Sequence, residues 1–443
     1  MKRDIYKQLL AWKSGDRRKP LLMRGARQTG KTYIIKEFGE CEYDKYIYCN
    51  FESDPNLAGF FKGSLKPAAI LENLSLYLGQ PVRKGKDLLV FDEIQACGDA
   101  LSSLKYFCEE ENDIHIAAAG SLLGVKLADS GSFPVGKVTI MDLYPMTFFE
   151  FLEAAGYVRY RELLEGQSDP EPFSEPIHQD LVALLRKYYY VGGMPEAVKV
   201  FFETNDLAEV RTIHNDIITS YTLDFAKHIQ PADIPKVTLI WESIPSQLAK
   251  ENKKFIFSAL KKSARAREYE NALQWLLDIG LVYKACSVTS SRLPLKRYAN
   301  QDIFKIYLLD VGLLGALAGL PTDIVIRGDD LFHEYSGSFT ENYAAQQLKA
   351  VYGKELYYWK SKGGMAELDF LYESGKQVYP LEVKAGINPK SKSLRSYDNQ
   401  FSPSVLLRSS LLNLRKDGSI CNIPLYALEC LHRYIAFNGM SNG

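Results

Sequence analysis

Four short apolar runs mark the first part of the chain: Pro20–Met23, Tyr46–Phe51, Asp87–Glu93 and Ile114–Ala119. Unbroken runs of this length suit strands buried on both faces of a parallel sheet. Between the first two, Tyr33–Phe38 has helical spacing and meets Gly39, a plausible C-cap. From Asp142 the pattern turns helical and aromatic, and Leu163–Pro172, rich in Gly, Pro and acids, reads as a loop at a domain boundary. Helices are then expected through Leu181–Lys187 and on towards His228. Residues 233–290 predict three helices, Ile234–Leu248, Lys254–Leu260 and Arg267–Leu277, then a strand, Gly280–Ala285. Past Gly337 come an amphipathic helix, Phe339–Leu348, and three strand-like runs, Glu355–Trp359, Glu367–Tyr372 and Val378–Lys384. The last two are joined by a hairpin turn at Glu373–Lys376.

The segment between the first strand and the first helix carries the clearest chemistry. Gly25, Ala26, Arg27, Gln28, Thr29, Gly30, Lys31 and Thr32 form a complete G-x-x-x-x-G-K-[ST] loop. Strand, glycine loop and helix N-terminus together aim backbone N–H groups and the positive end of a helix dipole at a phosphate. Lys31 would then reach the β/γ-phosphates and the Thr32 hydroxyl would ligate Mg²⁺. Ligand sites lie at the carboxyl ends of parallel strands, so Asp92 is expected to help hold Mg²⁺ and Glu93 to orient and deprotonate the attacking water. The doublet points to hydrolysis of a nucleoside triphosphate; a lone aspartate would equally fit a kinase or a slow switch. Ser121, after the strand Ile114–Ala119, would sense the γ-phosphate or cap a helix at Leu122–Val125, and the two readings are compatible. A strand inserted between the two nucleotide motifs, with a polar residue on the next strand, is the layout of ATPases with a catalytic glutamate.

Bulk properties narrow the class. A chain of 443 residues exceeds one ordinary domain. Lysine plus arginine balances aspartate plus glutamate at 54 each, so only local patches can point to an anionic partner. The charged start Met1–Lys7 holds no apolar signal core, and no stretch is long enough to span a bilayer. A cytoplasmic protein with no membrane partner is expected. Its seven dispersed cysteines lack a C-x-x-C pair, so reduced thiols are expected, and no zinc site.

The strings GARQTGKT (25–32), LLVFDEIQ (88–95), AAGSLLG (118–124) and DLYPMTFFEFL (142–152) resemble a family of AAA-type ATPases of bacteria and archaea that carry an uncharacterised C-terminal region. The likeness continues through Gly192–Ala197, Leu276–Tyr283 and Tyr307–Leu314. It implies an α/β P-loop fold, and ATP rather than another nucleotide. Where that family usually has Gly-Arg, this chain has Gly136-Lys137. An arginine finger acting on a neighbour's nucleotide is thereby put in doubt, because lysine lacks the planar fork. Arg27 is another candidate cation, and assembly into a homo-oligomer stays open.

Residues 233–290 look like a winged helix-turn-helix. Lys250, Lys253, Lys254, Lys261, Lys262, Arg265 and Arg267 would contact a DNA backbone or form a solvated face. Beyond them, Asp369, Glu382 and Lys384 make a D…E-x-K pattern with Glu341 upstream, and this resembles the PD-(D/E)xK nuclease core. That likeness assigns Glu341, Asp369 and Glu382 to Mg²⁺ and Lys384 to the attacking water or the scissile phosphate. The rival is a Glu382–Lys384 ion pair on a silent sheet that binds a protein partner. Lys390, Lys392 and Arg395 would carry DNA backbone or solubilise a loop. The expected organisation is a P-loop domain over 1–165, a helical lid over 166–230, a winged-helix module over 231–325 and a nuclease-like α/β domain over 326–443.

Overall fold

The computed structural model describes residues 1–121, 134–167, 171–250, 253–321, 330–386 and 391–440, with backbone alone at 330–336 and 437–440. The helix expected at Leu122–Val125, part of the boundary loop, and Lys390 lie outside the described residues. The chain forms two units, Met1–Tyr144 with Asp278–Leu281, and Pro145–Leu277 with Val282–Gly443.

In the first unit, alternation along each strand decides which face its side chains join. Five parallel strands, β1 (Leu21–Arg24), β2 (Lys45–Asn50), β3 (Asp87–Asp92), β4 (His115–Ala119) and β5 (Thr139–Asp142), pair in the order β2-β3-β4-β1-β5. Leu21, Met23, Leu88, Val90, Ala117 and Ala119 face one way, packing against α1 (Ile5–Lys13) and α2 (Lys31–Glu42). Leu22, Leu89, Phe91, Ile116 and Ala118 face the other, against α3 (Pro67–Leu78) and α4 (Gly98–Glu110). The strand separating β1 from β3 in space is β4, while β2, which lies between them in sequence, forms the edge.

Gly39 is no cap. α2 continues through it to Glu42, and a Cβ there would stand 2.7 Å from the Cβ of Tyr46, so glycine lets the helix press onto β2.

The second unit is built on an eight-stranded mixed sheet. Its strands are β6 (Val282–Val288), β7 (Ala299–Leu308), β8 (Leu356–Lys360), β9 (Glu367–Ser374), β10 (Gln377–Val383), β11 (Leu406–Ser410), β12 (Arg415–Asp417) and β13 (Ile420–Pro424). They pair in the order β12-β13-β11-β10-β9-β8-β6-β7. Strands from both sides of the boundary expected at 325/326 share this sheet, because β6 pairs in parallel with β8. The helix Val158–Gly166 runs into the stretch expected as a loop from Leu163.

Two motifs far apart in sequence close a knot inside this unit. Asp310 is fully buried and accepts from Gly193 N at 2.6 Å, Leu313 N at 3.0 Å and Gln346 Nε2 at 3.1 Å. Gly193 must be glycine, since a Cβ would lie 2.0 Å from the Met146 carbonyl. Met146 N in turn donates to Gly193 O at 2.6 Å. The adjoining helix Phe148–Ala154 starts with a capping box, Thr147 and Glu150, and its free N–H groups at Phe148 and Phe149 are taken by Gln347 and Glu429. The family-like strings Gly192–Ala197, Tyr307–Leu314 and Asp142–Leu152 therefore hold scaffold positions here.

Burial pushes the Asp310 carboxyl up to about 6. A group whose folded value lies above its unfolded one binds extra protons in the folded state, so this carboxyl adds stability as pH falls from about 6 towards 4. Comparing wild type with Asp310→Asn by denaturant unfolding at pH 7 and pH 5, the margin of the wild type should widen at pH 5, by about 1 kcal/mol. An unchanged margin would show that Asp310 stays ionised down to pH 5 and that burial does not raise its carboxyl.

Candidate functional site

The phosphate loop owes its shape to three residues with positive φ: Gly25 (146°), Gln28 (61°) and Gly30 (95°). A Cβ at Gly25 would meet the Leu143 carbonyl at 2.2 Å, so that position admits glycine alone. Gly30 opens α2 with no side-chain cap, leaving the first N–H groups of the helix facing the loop. Lys31 bends back over it, and its Nζ donates to the carbonyls of Gly25 (2.9 Å) and Ala26 (2.8 Å). Thr29 Oγ1 donates to Ala26 O at 2.9 Å. Arg3 braces the loop from outside, donating to Thr29 O at 2.9 Å and Tyr144 O at 2.6 Å. Sequence pattern did not single out Arg3, because an arginine beside the first helix carries no motif. Burial pulls the Lys31 ammonium down to about 8, against the opposing attraction of Glu93 and Asp92.

Across β4 from the loop, β3 delivers the acidic doublet. Thr32 Oγ1 donates to Asp92 Oδ2 at 2.9 Å, and Tyr48 on β2 donates to the same oxygen at 2.6 Å. Burial raises the Tyr48 hydroxyl to about 12, so it stays a donor. Asp92 is buried, and its other oxygen accepts from Glu93 N at 3.1 Å. Glu93 takes a left-handed backbone, φ 49°, a strained geometry for a residue with a side chain. Gln95 Nε2 donates to its carboxylate, while Gln95 Oε1 is buried with no partner among the described residues. Ser121 sits just past the end of β4, buried, its hydroxyl likewise partnerless among the described residues. The loop, Lys31, Thr32, Asp92, Glu93 and Ser121 thus gather at the carboxyl edge of one sheet. Tyr48 and Gln95 belong with them but carry no sequence motif.

The two other candidate cations differ in placement. Lys137 precedes β5 at the amino edge, opposite the phosphate loop, where it pairs with Glu109 at 2.8 Å. Arg27 Nη2 lies 3.8 Å from Glu52.

In the second unit, Glu341 and Asp369 come together, but their neighbour is a lysine that sequence pattern had passed over. Lys305 on β7 is buried, with Nζ 2.7 Å from Glu367, 3.6 Å from Glu341 and 3.9 Å from Asp369. Lys253 also pairs with Glu341. Burial pushes Asp369 up to about 7, with Glu341 adding to the rise; burial also works on Glu341, where Lys305 and Lys253 outweigh it and hold the carboxyl low. The carboxylates around Lys305 hold its ammonium charged despite its burial. These groups line a cavity of roughly 370 Å³. Glu382 is not among its walls: one oxygen pairs with Lys384 at 2.9 Å and the other is buried without a partner among the described residues. Among the described residues no group of three or more acids, histidines or cysteines is arranged to hold a metal, the expected set Glu341, Asp369 and Glu382 included.

Of the three helices expected at 233–290, Ile234–Leu248 and Ala266–Asp278 form, while the middle one reduces to a single 3₁₀ turn, Phe257–Ala259. Its sequence places Phe255 and Phe257 where they pack on Phe304 instead of continuing a helix. Lys253 leaves the basic face for Glu341, whereas Lys261, Lys262, Arg265 and Arg267 remain exposed.

Residues 17–152 match the family model "AAA domain". Residues 182–323 and 336–428 match two domains of unknown function, DUF8612 and DUF4143. No curated protein matches the chain. Similar solved structures include the Walker-type ATPase PABY2304 of Pyrococcus abyssi, 13% identical, covering 71% of this chain and 95% of that one, with a TM-score of 0.45. Cdc6p from Pyrobaculum aerophilum is 14% identical, covers 74% and 96%, and has a TM-score of 0.26. The chain carries an AAA-type P-loop domain and is an ATPase. Among the described residues no helix is long and apolar enough to cross a membrane.

Phosphate oxygens arriving beside Lys31 must raise its depressed pKa, so ATP binding takes up a proton near pH 8 and weakens as pH climbs through 8. Calorimetry at pH 8 in buffers of different ionisation enthalpy should show that uptake; heats independent of the buffer would refute it.

Proposed function

We propose that this chain hydrolyses ATP with Mg²⁺ at the loop of residues 25–32, and that the nucleotide cycle governs how its second unit engages DNA without cutting it. The observation that carries the hydrolytic half is the Thr32–Asp92 contact of 2.9 Å, which joins the start of α2 to the end of β3. A hydroxyl and a carboxylate side by side are the hard oxygen donors that suit Mg²⁺. Bound there, the ion would neutralise charge on the triphosphate.

The remaining roles belong to the chain's own groups. Lys31 leaves its two carbonyl partners to grip the β/γ-phosphates, and the loop amides cradle them. Glu93, turned out of β3 by its left-handed backbone, accepts a proton from water as the water oxygen bonds to the γ-phosphorus. The β–γ bridging bond breaks, giving ADP and phosphate. Gln95 holds the glutamate in place, and the Ser121 hydroxyl, without a partner among the described residues, senses the γ-phosphate from β4. Arg27, on the loop, is a further cation for developing phosphate charge.

DNA engagement rests on residues 254–267, which hold five lysines and arginines and no acid. Phosphate neutralisation by such a run supplies salt-dependent affinity. In the nuclease-like sheet, Lys305 stands among the carboxylates that a cleaving enzyme would give to a metal, and this favours a binding role over cleavage. Lys384 then serves as the ion-pair partner of Glu382.

Purified protein should turn over ATP only with Mg²⁺. Lys31→Ala should lose both binding and turnover, and Glu93→Gln should keep binding while turnover drops by about 10²- to 10⁴-fold. Equal turnover by wild type and either variant would defeat the assignment. Plasmid and single-stranded DNA incubated with Mg²⁺ or Mn²⁺, with and without ATP, should stay intact; cleavage abolished by Lys384→Ala would restore the nuclease reading.

A further inference from the structure

Beside the basic run lies a cleft of roughly 960 Å³, walled by the helix Ala266–Asp278, the turn at Phe257–Ala259 and the β6–β7 hairpin. Its floor is aromatic and apolar. Phe255 and Phe304 stack at 15° between ring planes, Phe257 meets Phe255 edge-on at 5.0 Å and is itself only half-buried, and Ile256 is exposed. Asn271 and Gln274, one helical turn apart, present exposed amides from one wall. Lys284 stands opposite with its ammonium 4.5 Å from the Phe304 ring. The mouth at Ala264 and Ala266 is flanked in sequence by Lys261, Lys262, Arg265 and Arg267, which are exposed and form no ion pair among the described residues.

We propose that this cleft takes a single-stranded stretch of nucleic acid, with a base stacked on Phe257 and the backbone phosphates on the cations at the mouth. The proposal deepens the reading that the second unit engages DNA, and rests on it. Three features select the class. The cations at the mouth call for an anionic chain, whose phosphates stay at the mouth because Glu270 and Asp302 line the cleft beside Lys254 and Lys284. An aromatic floor offers every base a stacking surface, which a paired and stacked duplex cannot use because its bases face each other. Amide side chains match base edges, which both donate and accept hydrogen bonds. An acidic peptide would satisfy the mouth and leave the floor and the amides without planar partners.

Fluorescence anisotropy on the whole chain tests this with a labelled oligothymidylate, a duplex of the same length and a polyglutamate competitor. The single strand should bind more tightly than the duplex. Phe257→Ala should weaken single-strand binding by about tenfold or more while leaving duplex binding unchanged, and Phe257→Trp should restore it. Replacing Lys261, Lys262 and Arg265 together by glutamine should reduce the slope of log affinity against log salt by about 2. Circular dichroism of each variant matching wild type checks that the fold is kept. Equal binding of both nucleic acids, unaffected by Phe257→Ala, would overturn the cleft and leave DNA engagement standing. Binding of neither would overturn both. Polyglutamate that binds as tightly as the strand, and is itself weakened by Phe257→Ala, would replace nucleic acid by an acidic peptide.

Discussion

The hydrogen bond between Thr32 and Asp92 spans the width of one strand, and the nucleotide site depends on it. β4 lies between β1 and β3, so the loop and the acidic doublet would otherwise have no direct contact. With β4 inserted, Ser121 reaches the same edge from the middle strand. Burial of Asp92 makes the contact demanding, since a buried carboxylate must be satisfied by donors or a cation. Here it has three donors: the Thr32 and Tyr48 hydroxyls and the Glu93 amide.

A comparable demand shapes the second unit, answered in a different way. Glu341, Glu367 and Asp369 crowd one cavity, where Lys305 from β7, Lys253 and Lys360 offset their charge. Removing one partner of such a buried cluster leaves charge uncompensated, which costs several kcal/mol. The same helix that carries Glu341 also supplies Gln346 and Gln347 to the knot around Asp310 and to the helix Phe148–Ala154. One helix thus ties the carboxylate cluster to the scaffold motifs.

Local grammar made the nucleotide site readable. A glycine loop between a strand and a helix, and an acidic doublet ending a strand, keep their meaning wherever the strands sit. What could not be read was spatial order: β4 rather than β2 separates the two motifs, and Gly39 serves close packing against Tyr46 instead of ending α2. The middle helix expected at Lys254–Leu260 gave way because Phe255 and Phe257 gain more by packing on Phe304 than by continuing a helical turn. Lys305 escaped notice because an isolated lysine in a strand signals nothing until β7 is set beside the carboxylates. The pairing of Asp310 with Gly193 joins residues 117 positions apart, and no periodicity reports a contact of that kind.

Titration of a non-hydrolysable ATP analogue into the whole chain, with Mg²⁺ present and then withheld, tests the account at its centre. One site per chain is predicted, with affinity that falls when Mg²⁺ is withheld and falls again when Asp92 is replaced by asparagine. Folded protein that takes up no analogue, or binds it equally well without Mg²⁺ and without Asp92, would contradict the account.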